Sequence, residues 1–297
     1  MDVTIVIPIY NRKDSIRTTI GRIDSKYPLI LVDNGSTDGS FEVCSEIVAA
    51  RPNTILVVEQ KPGAAAARNK GLALCKTEWI YFFDSDDVFT CLPAEWNNDV
   101  DMVCLPIQQE CGGKLRTRAY FPVDLPHVQI LSSMLNTPSV IYKTSFLLAA
   151  GGWNESCLMW DDWELGLRSL LRSPKVQWIE SQVFHVIHIH PHGMTGPSLS
   201  SRTDEIVNTL HVVFDDIYNS DDRTAEHRKA FAALFYRCYI LSGKMLREGC
   251  PECSAKVHTF IFDKFRVNKL SHMMGRLFEW ASSKGVRGVW RIALRIV

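Results

Sequence analysis

The chain of 297 residues is 46% hydrophobic, enough for one large domain or two modest ones with a filled core. Lysine plus arginine and aspartate plus glutamate number 33 each, so the formal net charge is zero and no global imbalance points to nucleic acid or to an acidic partner. The opening "MDVTIVIPIYNRKDS" lacks the basic segment, apolar core and cleavage site of a secretory leader, and no run of about 18 uncharged apolar residues occurs.

A cytoplasmic chain that does not span a membrane is therefore expected. Nine cysteines, an odd set without regular spacing, point to reduced thiols. The close pair Cys250 and Cys253, in "CPEC", reads as two incidental thiols near a helix start.

In chain order, "VTIVIPI" (3–9) reads as a buried strand, "KDSIRTTIGRI" (13–23) as a helix and "PLILVD" (28–33) as a second strand. "STDGSFEVCSEIVAA" follows as a helix with Ser36, Thr37 or Asp38 near its N-cap. "TILVVE" (54–59) is a third strand, "GAAAARNKGLALC" a small-residue helix and "EWIYFFD" (78–84) a fourth strand. Three crossovers in succession predict an open, doubly wound α/β sheet. "DMVCLPI" and "KLRTRAYF" read as strands, and "PSVIYKTSFLLAAGGWNES" as a strand, a short helix and a Gly-Gly turn. "WDDWELGLRSLLR" (160–172) suits an amphipathic helix with acids in its first turn, "VQWIE" and "QVFHVIHIHPH" read as strands, and from about 198 the chain is helical.

In such sheets ligands bind beyond the carboxyl ends of the strands. The polar residues found there are Asn11, Asp33, and Asp84, Ser85 and Asp86, which should converge on one crevice. Neither a GxGxxG after the first strand nor a GxxxxGK[ST] occurs, so the dinucleotide and P-loop readings lack their phosphate-binding turn. In an extended segment Asp84 and Asp86 leave the backbone on one side, a spacing suited to Mg²⁺ or Mn²⁺ completed by substrate phosphates.

"VTIVIPIYNR", "ILVDNGSTDGS", "GAAAARNKGL" and "FFDSDD", in this order, resemble the nucleotide-sugar-binding half of the family 2 glycosyltransferases of GT-A fold. The likeness is close over roughly the first 90 residues and extends through "GGWNESCLMWDDWELGLR" and "HIHPHGMT". It implies a Rossmann-like, mostly parallel twisted sheet flanked by helices in a catalytic domain over 1–197. Residues 1–100 would bind the nucleotide sugar, 101–197 the acceptor, and 198–297 would form a helical C-terminal extension. Pro8, Tyr10 and Asn11 would line the nucleoside pocket, with Asp33 on the base or ribose. Arg68 would face the nucleotide, Asp84 and Ser85 the ribose side, and Asp86 the metal, Mn²⁺ or Mg²⁺. Asn34 stands where the family often has an acid.

An acceptor hydroxyl that attacks an anomeric carbon must lose its proton, so a carboxylate has to stand within hydrogen-bond reach. "WDDWEL" contains Asp161, Asp162 and Glu164, and the resemblance assigns the general base to Asp162. Trp160, Asp161 and Trp163 would lie on the acceptor side, the two aromatics suiting sugar rings. The resemblance also implies inversion at the anomeric carbon. In "HVIHIHPHGMTG" strand alternation puts His188, His190 and His192 on one face. The resemblance maps the family's histidine near metal and diphosphate to His190.

Arg287, Arg291 and Arg295 recur every four residues among Val289, Trp290, Ile292, Leu294 and Ile296, as in a basic amphipathic helix. Such a helix suits an anionic membrane surface, the catalytic domain or a second subunit equally. The reading is thus a metal-dependent, inverting transferase acting from a UDP-sugar onto a glycan or lipid-linked acceptor in surface polysaccharide synthesis. The alternatives are a nucleotidyltransferase, which would carry a Gly-rich basic loop after strand one, a non-catalytic sugar-nucleotide module, and a zinc-binding protein built on the histidines.

Overall fold

Continuous apolar runs fold as strands buried on both faces. In the computed structural model, which describes residues 2–117, 120–180, 184–188, 198–220 and 224–297, Ile5, Val6, Ile7 and Ile9 are fully buried. The first elements are β1 (Val3–Ile9), α1 (Ile16–Gly21), β2 (Leu29–Asp33), α2 (Ser40–Ala50), β3 (Thr54–Val58), α3 (Ala64–Leu74) and β4 (Trp79–Phe82). They are followed by β5 (Val88–Phe89), β6 (Met102–Cys104), β7 (Ile107–Cys111), β8 (Lys114–Thr117), α4 (Pro126–Ser132), β9 (Val140–Lys143) and α5 (Thr144–Ala149). Then come α6 (Asp161–Leu170), β10 (Val176–Trp178) and β11 (His185–His188). The helices α7 (Thr203–Asn219), α8 (Ala225–Arg247), α9 (Pro251–Lys264), α10 (Lys269–Ser283) and α11 (Val289–Ile296) end the chain.

Two units emerge. The first comprises Met1–Pro122, Leu135–Glu155 and Ser173–Thr195. Its main sheet has the order β10-β6-β9-β4-β1-β2-β3, with β1 parallel to both β2 and β4, β2 parallel to β3, and β9 antiparallel to β4 and β6. The small residues of α3 let that helix lie on the sheet: a side chain at Gly71 would meet Val6 Cγ1 at 2.3 Å. A second sheet, β5-β11-β7-β8, was not separable in the sequence, because β5 has only two residues.

The second unit gathers Val123–Met134, Ser156–Arg172 and Gly196–Val297. Its core joins Ile130 and Leu131 of α4, Trp163 and Leu167 of α6, and the buried faces of α7, α8 and α9. Residues 123–134 and 156–172, read from sequence as part of the catalytic half, thus cluster with the C-terminal helices. The cause is their apolar faces, which are buried in this helical core.

The expectation of nine reduced thiols is corrected at one pair. Cys250 and Cys253 form a disulfide across the first turn of α9, with Cα atoms 5.3 Å apart. No helix among the described residues is long and apolar enough to cross a membrane.

Candidate active site

The carboxyl ends of β1, β2 and β4 carry one continuous set of polar contacts within the first unit. Beyond β1, Asn11 adopts a left-handed backbone (φ 52°) that turns the chain back over β2. Its amide donates to Ser36 Oγ at 3.1 Å, and its side-chain oxygen accepts from the Thr37 amide at 2.8 Å. Asp33, 4% exposed at the end of β2, accepts from the amides of Gly35 and Ser36 on one oxygen, both at 3.2 Å. Its other oxygen, Oδ1, is buried without a hydrogen-bond partner. A buried carboxylate oxygen in that condition is costly unless a ligand donates to it. Tyr10, 61% exposed, and half-buried Pro8 stand beside this turn.

Asn34 has a role that its sequence position did not reveal. It donates to the carbonyls of Glu59 and Lys61 at 3.0 and 2.7 Å and accepts from the Gly63 amide at 2.8 Å, so it clamps the β3–α3 loop. Asp38, one residue before the N-cap Gly39 of α2, accepts from the Ser40 amide at 2.9 Å. The Ser40 hydroxyl holds its carboxyl below the usual range.

After β4 the acids do not continue an extended strand, which corrects the shared-side reading of Asp84 and Asp86. The Asp87 amide donates to the Asp84 carbonyl at 3.2 Å and closes a turn over 84–87. Asp84 pairs with Arg68 at 2.7 Å, and Asp86 pairs with Arg12 at 2.7 Å. Arg68 is 1% exposed, and its guanidinium lies 4.4 Å from the Trp153 ring centroid. Arg68, expected to face a nucleotide, is thus buried against Trp153 with one guanidinium nitrogen on Asp84. Ser85 is buried as well, its carbonyl accepting from the Thr19 hydroxyl at 3.1 Å.

Asp87, the third acid, is 6% exposed and accepts from the His188 amide at 3.0 Å, which ties the acidic turn to β11. Burial, and then the charge of Asp84, push its carboxyl well above the ordinary range. Carboxylates are the donor type that hard, oxygen-preferring cations take, although the three acids of this turn do not bring one oxygen each within 4.8 Å of one another. The side chains of Asp84 and Asp86 are 31% and 28% exposed, so both keep access to solvent.

Among the described residues the group of three ligand types close enough to hold a metal is Cys250, Glu252 and Cys253, whose thiols are already joined. The imidazole of His188 pairs with Glu110, whereas His190 and His192 lie outside the described residues. His185 is enclosed by Tyr81, Phe83 and Phe89, with neither ring nitrogen hydrogen-bonded, and burial pushes it down to about 3.

Asp162 belongs to the second unit, in the first turn of α6. It is half-buried and accepts from the Trp163 amide at 2.7 Å. Asp161, 6% exposed, accepts from the Asp162 amide at 3.1 Å. Trp163 is not an acceptor-side platform: it is 2% exposed, and its indole N–H donates to the carbonyls of Gln129 and Ile130 in the helical core. Trp160 is half-buried against the same core. Glu164 is fully buried and paired with Arg168. Burial, reinforced by the charge of Glu164, raises Asp216 of α7 to about 7.

A cavity of about 340 Å³ lined by Asp2, Lys26, Tyr27, Pro28, Leu92 and Trp96 sits by the first residues of β1. It is at the wrong end of the strands for the chemistry of an α/β sheet, and none of the acids above reaches it.

Residues 4–96 match the family model for Glycosyl transferase family 2. The chain is 28% identical over 184 residues to the minor teichoic acid biosynthesis protein GgaA of Bacillus subtilis (strain 168), which is 54% of this chain and 41% of that protein. The match thus spans less than half the length of that curated relative. In fold it resembles S. aureus TarS 1–349 in complex with UDP-GlcNAc, at 14% identity and a TM-score of 0.61, over 98% of this chain and 92% of that one. It also resembles the mannosyltransferase PcManGT from Pyrobaculum calidifontis in complex with GDP-Man and Mn²⁺, at 15% identity and 0.57, over 96% and 86%. The architecture is thus the GT-A fold with C-terminal helices. Over residues 4–96 the chain is similar to glycosyl transferase family 2.

Proposed function

We infer that the chain is a metal-dependent, inverting glycosyltransferase that moves a sugar from a UDP-sugar to a glycan or lipid-linked acceptor in surface polysaccharide synthesis. The observation that carries this reading is the buried, unpartnered Oδ1 of Asp33, at the same strand ends as Asn11, Asp84 and Asp86. A nucleoside contributes the N–H and O–H groups that such an oxygen requires. The name of GgaA supports a surface-polymer acceptor, and the UDP-GlcNAc held by TarS supports a uridine donor.

In this mechanism Asp33 orients the nucleoside, with Pro8 and Tyr10 beside it. Arg68 holds Asp84 toward the ribose, and Asp86, with His190 by resemblance, is the residue that would hold Mn²⁺ or Mg²⁺. When bound, that cation supplies positive charge to the departing diphosphate. Asp162 accepts the proton of the acceptor hydroxyl as its oxygen attacks the anomeric carbon. The carbon–oxygen bond to the diphosphate breaks on the opposite face, so configuration inverts without a covalent enzyme intermediate. Contact with a membrane surface belongs to this reading because lipid-linked acceptors reside there.

The test is incubation with UDP-, GDP- and dTDP-sugars and Mn²⁺, monitoring release of the nucleoside diphosphate. Release from a UDP-sugar is expected. Absence of binding and turnover with every donor overturns the assignment.

A further inference from the structure

The last two helices present a surface that the site does not use. On α10, Leu270, Met273, Leu277 and Trp280 are 62%, 56%, 52% and 61% exposed. Their spacing of three, four and three residues places all four along one stripe of the helix. Ile292 and Ile296 of α11 are also exposed, at 53% and 45%. Isolated exposed apolar residues are ordinary, but an ordered stripe of long ones, ending in a tryptophan, marks a contact surface.

The charge around the stripe identifies the partner. Between Lys264 and Val297 the chain has eight lysines and arginines against one acid, Glu279, although the whole molecule is neutral. That acid is buried beside Ser242 and His258 and pairs with Arg276 at 2.9 Å, so it offsets one of the eight cations and leaves seven. Lys269, Lys284, Arg287, Arg291 and Arg295 are exposed. Long cationic side chains flanking an apolar stripe match an anionic lipid surface: the stripe enters the acyl boundary while the charges stay at the headgroups. A second copy of the chain fits less well, since a two-fold contact would oppose the same cations across the interface.

We propose that the exposed face of α10, continued by α11, docks the protein on an anionic lipid bilayer. This deepens the membrane contact of the reading above and extends it from α11 to a surface centred on α10. Docking needs no donor or acceptor, so it is measured apart from transfer.

The experiment is co-sedimentation of the full chain with phosphatidylcholine vesicles, with and without phosphatidylglycerol. Binding to the anionic vesicles only is expected, and it should weaken as salt rises to about 0.5 M. Leu277→Ser combined with Trp280→Ser is expected to lower vesicle affinity about tenfold or more. Arg287→Glu combined with Arg291→Glu should act in the same direction. Because these side chains are exposed, both variants should keep the wild-type circular dichroism and melting profile. Equal binding to both vesicle types, no binding, or variants that bind like the wild type overturns the proposal. So does a dimer, detected by light scattering, that the Leu277→Ser and Trp280→Ser variant dissolves, since a second copy would then cover the face. Vesicle binding without turnover of any donor would instead refute the glycosyltransferase reading and leave this surface intact.

Discussion

The Arg12 guanidinium lies 2.7 Å from an Asp86 oxygen, so the acid proposed to hold a cation is paired with a cation of the chain's own. The two side chains are 35% and 28% exposed, so the pair is worth about 1 kcal/mol or less. A divalent ion must displace or share that contact. Arg12→Met is expected to tighten Mn²⁺ binding by up to about fivefold, the equivalent of that energy. Titration calorimetry with Mn²⁺ in the presence of UDP checks it, and unchanged or weaker binding would show that Arg12 does not compete.

Arg68 differs in kind, because it is buried between Trp153 and Asp84. Removing one partner of such a pair leaves a desolvated group uncompensated. Arg68→Ala should destabilise the protein by about 3 kcal/mol, the lower end for buried pairs because Asp84 keeps access to water. Arg68→Lys should recover little of the loss, as an ammonium cannot both stack on the indole and span to the carboxylate as a planar fork does. Urea denaturation measures both.

Asp162→Asn retains shape and removes basicity. Transfer should fall by about 10² to 10⁴-fold while donor affinity stays at the wild-type value. Steady-state release of nucleoside diphosphate, combined with equilibrium donor binding, separates the two. An active Asn variant would move the base elsewhere.

Gly275 lets α10 approach α8 closely. A Cβ there would lie 2.3 Å from the ring of Tyr239, a fully buried side chain whose hydroxyl is 2.9 Å from His272 Nδ1. The ring has no room to yield. Gly275→Ala is therefore expected to cost about 1 to 3 kcal/mol despite its better helix propensity, read as a lower melting temperature.

His185 gives the fold a pH dependence. Its folded value is about 3 against an ordinary 6.5, because burial disfavours the imidazolium. Between those values the unfolded chain binds a proton that the folded chain does not. The stability is fully present above pH 6.5 and declines as pH falls through that window toward 3. His185→Phe removes the titration, so urea midpoints of the variant should gain on the wild type more at pH 5 than at pH 8. An equal difference at the two values would assign the slope to other groups.

The strands β1 to β4 were legible because a parallel strand buried on both faces must be apolar throughout, and this shows in any short window. The strand-end positions of Asn11, Asp33 and Asp84 followed from the same pattern. The acidic turn, by contrast, was read as extended: its i to i+3 hydrogen bond leaves no periodicity to detect.

What the amino-acid sequence by itself determined is the alternation of strands and helices, the places where polar residues end the strands, and the family likeness of residues 4–96. Only the tertiary structure decided that Arg68 serves Asp84 and that Arg12, 74 positions away, meets Asp86. It also decided that Trp163 is core and that α4 and α6 group with the C-terminal helices. The physical reason is range. Propensity and hydrophobic period act over a few neighbouring residues, whereas the partner of a charge or an apolar face is set by segments that meet only after the chain has collapsed.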